Sequence, residues 1–354
     1  MNNSLNTEIN KIIKEGWTDG IAMSWGSSSN FVTITDGIVS GNNKNVSPDT
    51  IYDIASVSKL FFLAFAMKLV DDGVIELDAQ IGDYTNSFRN IANIKIYELL
   101  NFSRALKTKQ KISSFTSRES AIACIKDIEV IDSLPVYSDM GAITLSVLIE
   151  EITNSSLYSL TKKFWQDNHL KSTFWWTDYD ASLCPNMQSY DKEYHIINSS
   201  ESINRLKLGV VHDPKARILK QSGHAGIFST PTEAISFSQG VLLKTIISKN
   251  ALDTICSSRY DYKTPTQSFG LLCYKKAPTE YSSEVPFTFS DSAFAMSGYT
   301  GTYILIDPEF NSFASIYSNR IYNRCTSPTS SDINNTHFNT NKYVYRKDAL
   351  LKLL

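Results

Sequence analysis

Ile51-Tyr-Asp-Ile-Ala-Ser-Val-Ser-Lys-Leu60, running on into Phe61-Phe-Leu-Ala-Phe-Ala-Met67, is the stretch from which the chain is best read. Every residue from Leu60 to Met67 is apolar, and a helix that is apolar all round is a buried helix. Ser56 then sits at the first turn and Lys59 follows three residues on, on the same face. A hydroxyl and an amine meet at the positive end of a helix dipole, beside water-poor surroundings. That pairing suits a nucleophilic serine activated by a lysine whose pKa burial lowers. The pattern alone is short, and the chain holds a second copy, Ser159-Leu-Thr-Lys162. There Leu157, Leu160 and Phe164 share one face of an amphipathic helix, so this copy reads as a solvated surface.

Outward from this stretch, the other elements follow from periodicity and punctuation. Residues 5–16 read as an amphipathic helix, and residues 20–25 and 30–35 as a hairpin turning at Gly26-Ser-Ser-Ser29. The apolar helix ends near Asp71-Asp72-Gly73. Helical spacing dominates from 80 to 205, most clearly over 94–102, 118–129 and 144–152, while 171–205 read as long loops. Thr230 caps a helix over 230–247 with Pro231 at its first position. Strands return over 268–274, 293–297, 301–307 and 312–318, and residues 346–354 form a closing helix. An α+β fold is expected. Residues 1–50 with 265–354 make a sheet lobe, residues 51–264 a mainly helical lobe, and the active site lies between them.

Composition narrows the function. The 354 residues carry 42% hydrophobic and 20% charged residues and a net charge of −2, values of a globular protein with no basic patch for nucleic acid. Neither a signal peptide nor a membrane span is expected. The five cysteines (124, 184, 256, 273 and 325) are scattered, as in a reducing cytoplasm, and no His/Cys cluster calls for a metal.

Two further stretches carry chemistry. Leu134-Pro-Val-Tyr137-Ser-Asp139-Met-Gly141 reads as a loop entering a helix at Thr144. A tyrosine there, next to a lysine, serves as a proton shuttle, because an ammonium lowers a phenol's pKa. Met296-Ser-Gly-Tyr-Thr-Gly-Thr302 reads as strand with a glycine inside it, a mark of close approach. Gly298 lets the N–H of Tyr299 face the nucleophile, and with the N–H of Ser56 it makes an oxyanion hole.

Taken in order, Ser56-x-x-Lys59, Tyr137-x-Asp139 and Ser297-Gly298 resemble the three motifs of the serine β-lactamase and penicillin-binding-protein superfamily. The chain looks closest to the class C-like branch with its esterases, peptidases and transesterases. Val211-His-Asp213, Gly223-His-Ala-Gly-Ile-Phe-Ser-Thr230, Ile306-Asp-Pro308 and Ser318-Asn-Arg320 are similar to segments of that branch. The resemblance implies a β-lactamase/transpeptidase-like fold: an antiparallel sheet flanked by N- and C-terminal helices, with an inserted helical lobe. It implies Ser56 as acylated nucleophile, Lys59 and Tyr137 as its proton-handling partners, and the N–H groups of Ser56 and Tyr299 as oxyanion donors. Asp139, where many members have Asn, orients Lys59 or the acyl side chain. Met296, Ser297 and Gly298 join Asp139 in substrate binding.

Two departures stand out. Met296 replaces the Lys, His or Trp that usually opens the third motif, and methionine offers neither charge nor a strong donor. A substrate without a critical carboxylate follows. Leu99-Leu-Asn-Phe-Ser-Arg-Ala-Leu106 lacks the family's His and Gly, a reshaped loop expected away from the chemical centre. His212 and His224 lie in family-like segments without an assigned role, and Phe174-Trp-Trp176 with Tyr179 reads as packing. The expectation is a cytoplasmic serine hydrolase needing no cofactor or metal, acting on a small-molecule ester or amide. Acyl transfer in a biosynthetic pathway and a lapsed binding protein are the alternatives.

Overall fold

The computed structural model describes residues 2–39, 44–131, 137–180, 209–261, 267–280, 283–320, 347 and 350–354. The chain opens with helix α1 (Asn2–Lys14) and the hairpin β1 (Gly20–Ser27) and β2 (Phe31–Gly37). A short strand β3 (Tyr52–Asp53) leads through a 3₁₀ turn (Ala55–Val57) into α2 (Ser58–Asp71). Then follow α3 (Ile96–Leu100), β4 (Leu106–Lys107), α4 (Arg118–Lys126), β5 (Glu129–Val130), α5 (Met140–Thr153), α6 (Leu157–Asp167) and β6 (Phe174–Trp175). Next come α7 (Pro214–Leu219), β7 (Ile227–Ser229), α8 (Pro231–Leu242) and α9 (Lys249–Ser257). Strands β8 (Tyr260–Asp261), β9 (Ser268–Phe269), β10 (Tyr274–Lys275), β11 (Phe294–Ser297), β12 (Tyr303–Asp307) and β13 (Ser312–Ser318) complete the described elements.

Eight strands form one antiparallel sheet in the order β2-β1-β13-β12-β11-β10-β9-β8, so both ends of the chain build it. Side chains alternate between its faces with the period of two a strand imposes. Ile21, Met23, Leu305 and Ile316 pack under Leu5, Ile9 and Ile12 of α1 and the C-terminal Leu350 and Leu351. Ala22, Ile304, Ile306 and Tyr317 face the other way, into the core that holds α2 and α8. The apolar run behaves as its composition demands: from Ser58 to Met67 every residue of α2 is buried. The Thr230 hydroxyl caps α8, accepting from the Glu233 N–H at 3.1 Å, with Pro231 at the first position.

Local boundaries differ from the sequence reading in three places. Helix α5 begins at Met140, directly after Asp139, so the Tyr137 loop is shorter than a start at Thr144 implies. Residues 268–274 are two strands, β9 and β10, folded back on each other around Leu272, whose φ is 46°. Gly298 lies outside β11, in a turn closed by its N–H to the Thr302 carbonyl at 2.7 Å, with Gly301 at φ 110°. Residues 181–205 of the expected loop, and 346, 348 and 349 of the expected closing helix, lie outside the described residues.

Candidate active site

The turn that carries Ser56 is tied to three neighbours through its backbone. The Ile54 N–H donates to the Ile227 carbonyl at 3.1 Å. The Thr300 hydroxyl donates to the Asp53 carbonyl at 2.7 Å, and that of Thr302 to the Ile54 carbonyl at 2.9 Å. Ser56 lies in the 3₁₀ turn 55–57 and Lys59 in the first turn of α2, three residues on and on the same face. Lys59 Nζ accordingly reaches Ser56 Oγ at 3.2 Å.

Lys59 is fully buried and spends its other two N–H bonds on Asp139 Oδ1 at 2.7 Å and the His224 carbonyl at 3.1 Å. Burial opposes its charge, but the Asp139 carboxylate and the Tyr137 phenol outweigh burial and hold it well above the ordinary lysine range. This corrects the sequence reading, in which burial lowered the lysine: burial without a counter-ion does so, and here the counter-ion is in contact. Asp139 is displaced the opposite way. Burial again opposes the charge, and Lys59, His224 and Lys215 press its carboxyl far below the usual carboxylate range.

A second lysine closes the network. Lys215 Nζ donates to Asp139 Oδ2 at 2.6 Å and lies 3.6 Å from Asp213 Oδ2. Asp213 Oδ1 in turn meets His224 Nε2 at 2.9 Å, and His224 Nδ1 meets Ser222 Oγ at 3.0 Å. The carboxylate and imidazole ligand atoms of Asp139, Asp213 and His224 lie within 4.8 Å of one another, a spacing a metal ion could use. Both Asp139 oxygens already accept from lysine ammonium groups, so the cluster fits an ion-pair network better than a metal centre.

Tyr137 is held by stacking. Its ring lies between those of Phe102, at 5.3 Å between centroids, and Tyr274, at 5.6 Å and 6° from parallel. Lys59 Nζ is 5.0 Å from its centroid, and its hydroxyl points to Met296 Sδ at 3.9 Å. Phe102 belongs to the reshaped 99–106 loop, which is therefore packed on the chemical centre rather than away from it.

Ser56, Tyr137, Asp139, Ser297, Gly298 and Tyr299 line one cavity of about 430 Å³. A Cβ at Gly298 would come within 2.6 Å of the Ile54 carbonyl, the close approach its motif foretells. Of the sequence candidates, Lys59 does not line this cavity, and neither does Met296. Met296 is fully buried against Tyr137. Arg320 and Lys347 do line the cavity. Arg320 Nε donates to the Tyr299 carbonyl at 2.5 Å, and Lys347 pairs with Glu284.

The model of the beta-lactamase family matches residues 27–327. The chain belongs to the beta-lactamase family. It is 24% identical over 317 residues to an N-acetylmuramyl-L-alanine amidase of Bacillus subtilis, covering 77% of this chain and 68% of that protein. It is 23% identical over 317 residues to a putative D-alanyl-D-alanine carboxypeptidase of Salmonella typhimurium, covering 79% and 72%. The fold matches that of a class C beta-lactamase from Rhodobacter sphaeroides with a TM-score of 0.73 at 15% identity, over 99% of both chains. The protein is thus a hydrolase of the beta-lactamase family with a β-lactamase/transpeptidase-like α+β fold. Among the described residues, no helix is long and apolar enough to cross a membrane.

Sequence reasoning missed the rest of the ion network in this beta-lactamase-family site. Lys215 lies 76 residues from Asp139 and belongs to no local pattern, and His224 bonds Lys59 through its carbonyl, which no side-chain motif encodes. Arg320 sits in a segment the family resemblance singles out, so its presence at the cavity had a signal; Lys347 had none.

Proposed function

We propose that the protein is a serine hydrolase that cleaves a small-molecule ester or amide through an acyl-enzyme on Ser56. The observation that carries this reading is Ser56 Oγ at 3.2 Å from the ammonium of fully buried Lys59, on the wall of a 430 Å³ cavity. Ser56 Oγ attacks the carbonyl carbon while its proton passes to the Lys59–Tyr137 pair. With Lys59 held as an ammonium by Asp139, the acceptor in this step is the Tyr137 oxygen, which enters as the phenolate and becomes the phenol as it takes the Ser56 proton. That proton then goes to the leaving nitrogen or oxygen as the C–N or C–O bond breaks. Water, deprotonated by the same pair, attacks the ester, and the acid leaves as Ser56 regains its proton. The N–H groups of Ser56 and Tyr299 stabilise the oxyanion in both steps. Asp139 orients Lys59; Ser297 and Gly298 present the strand edge to the substrate.

The substrate in this reading needs no counter-ion for a carboxylate. Met296 supplies none, Lys59 and Lys215 are matched by Asp139 and Asp213, and Lys347 is matched by Glu284. Arg320 keeps its charge while donating to the Tyr299 carbonyl, so carboxylate-bearing substrates test this point. The names of two relatives, an amidase and a carboxypeptidase, denote cleavage of C–N bonds, which supports an amide substrate within this reading. Acyl transfer to an amine or alcohol would use the same intermediate. A cytoplasmic location belongs to this reading, supported by free Cys124, Cys256 and Cys273. The test is a panel of p-nitrophenyl esters, D- and L-amino-acid amides, a D-alanyl-D-alanine peptide and a chromogenic cephalosporin, with and without an added amine. Turnover of a carboxylate-free ester or amide is expected. Preference for the cephalosporin or the carboxylate-bearing peptide would overturn the substrate assignment, and product consisting mainly of the transferred acyl group would replace hydrolysis by transfer.

A further inference from the structure

The nucleophile turn contains a strained residue and a buried acid that no step above uses. Ala55, immediately before Ser56, has a φ of 45°, a left-handed value that crowds its Cβ against the backbone. Such strain persists only where the surroundings over-determine it. Asp53 is fully buried and gives one oxygen to each side of the site. Its Oδ1 accepts from the Ala55 N–H at 2.8 Å, and its Oδ2 from the His212 N–H at 2.7 Å. The His212 ring in turn stacks on that of Tyr299, with centroids 5.0 Å apart. One carboxylate thus joins the backbone beside the nucleophile to the segment packed on the oxyanion residue.

Building on the acyl-enzyme reading, we propose that Asp53 is a positioning residue whose carboxylate braces the left-handed turn at Ala55, fixes Ser56 relative to Tyr299, and releases that brace when protonated. Deprotonated, it accepts both N–H groups. Protonated, it gains an O–H donor and leaves the two N–H groups to share its weakened acceptors. Burial lifts its carboxyl to about 6, against the bonds from His212 and Ala55 and the charge of His212, with Asp213 adding to the rise. On the other elements packed around it, Arg217 of α7 donates to the Val211 and His212 carbonyls, β7 opposes it with Phe228, and Thr300 bonds its carbonyl. Arg320 lies over the adjoining Tyr299 ring at 4.8 Å.

The sign of the pH effect separates bracing from folding. A carboxyl raised in the folded state favours the fold when protonated, so its contribution is gained as pH falls through about 6 and lost as pH rises. Acidification from 7.5 to 5 therefore slows Ser56 while this group stabilises the fold.

The experiment is the rate of fluorophosphonate labelling of Ser56 between pH 4.5 and 8, with thermal midpoints in parallel. The wild type is expected to slow about tenfold from pH 7.5 to pH 5, about fivefold of it between pH 6 and pH 5. Asp53→Asn is expected to label at least tenfold more slowly at pH 7.5 and to lose that acid limb. Asp53→Asn/Ala55→Gly should recover part of the rate, because glycine adopts positive φ without a brace. A folded Asp53→Asn protein with the wild-type rate and the wild-type acid limb overturns the proposal. If Asp53→Asn does not fold, Ala55→Gly alone decides: a shallower acid limb supports the brace, and an unchanged one overturns it. If wild-type Ser56 is not labelled at all, the acyl-enzyme reading falls, and the stability cycle between Asp53→Asn and Ala55→Gly judges the brace separately. Coupling then supports it and strict additivity contradicts it.

Discussion

The chain carries the same four kinds of side chain twice. At one site Ser56 and Lys59 are joined by Tyr137 and Asp139; at the other Ser159 and Lys162 are joined by Tyr158 and Asp178. Both serines lie in the opening turns of a helical segment. Lys162 Nζ even bonds its tyrosine oxygen directly, at 2.8 Å, and that hydroxyl donates to Asp178 at 3.0 Å. The difference is solvent. Lys162 has 48% of its side chain exposed, while Lys59 has none. Ser159 spends its hydroxyl on the Ser156 carbonyl of its own helix cap, whereas Ser56 lines a cavity. An exposed pair exchanges freely with water and is worth little, but a buried, fully bonded one is fixed in charge and place. Residue types and spacing are the same at both sites; what differs is the apolar helix that takes Ser56 and Lys59 out of water, and on the proposed reading that is what makes Ser56 the nucleophile.

The largest expected contrast is between the two serines. Ser56→Ala should lower turnover on the order of a thousandfold or more, and Ser159→Ala should leave it within about twofold. The tyrosines come next. Tyr137→Phe removes a hydroxyl that points to Met296 Sδ at 3.9 Å and helps to hold Lys59 charged, so kcat should fall about 10²- to 10⁴-fold. Tyr158→Phe should leave kcat unchanged. For the lysines, Lys59→Met leaves Asp139 bonded to Lys215 alone, and chemical denaturation should register a loss of about 3 kcal/mol together with lost activity. Lys162→Met should stay within about 0.5 kcal/mol of wild type.

The smallest contrast is in pH. Lys59 is raised, so its stabilisation is present below the ordinary lysine pKa and is lost as pH climbs through the folded value. Asp139 is depressed, so its share is present above the ordinary aspartate range and is lost as pH falls through the folded value. Thermal midpoints of wild type and Lys59→Met should differ by a constant amount from about pH 5 to about pH 9 and converge outside that window. The corresponding difference for Lys162→Met should be near zero throughout.

What was legible in the sequence was whatever periodicity or local chemistry encodes. The buried helix at residues 58–71 follows from an unbroken apolar run, and Gly298 from the approach of its turn to Ile54. Ser56, Lys59, Tyr137, Asp139 and Gly298 were each singled out, and the fold brings them to one place. What was not legible depends on contacts distant in sequence. The sign of the Lys59 shift is set by Asp139, 80 residues away, and the charge of Asp139 by Lys59, His224 and Lys215 together, against its burial. Met296 reads as a substrate contact on spacing alone, but the packing of Tyr137 against it removes it from the cavity wall. Phe102 reads as peripheral because its stacking partner Tyr137 is 35 residues on.

The most direct test is intact-protein mass spectrometry after reaction with a fluorophosphonate, with peptide mapping of the adduct. A single adduct on Ser56, absent from Ser56→Ala and unaffected by Ser159→Ala, is the predicted result. An adduct that persists in Ser56→Ala, or that maps to Ser159, would contradict the account.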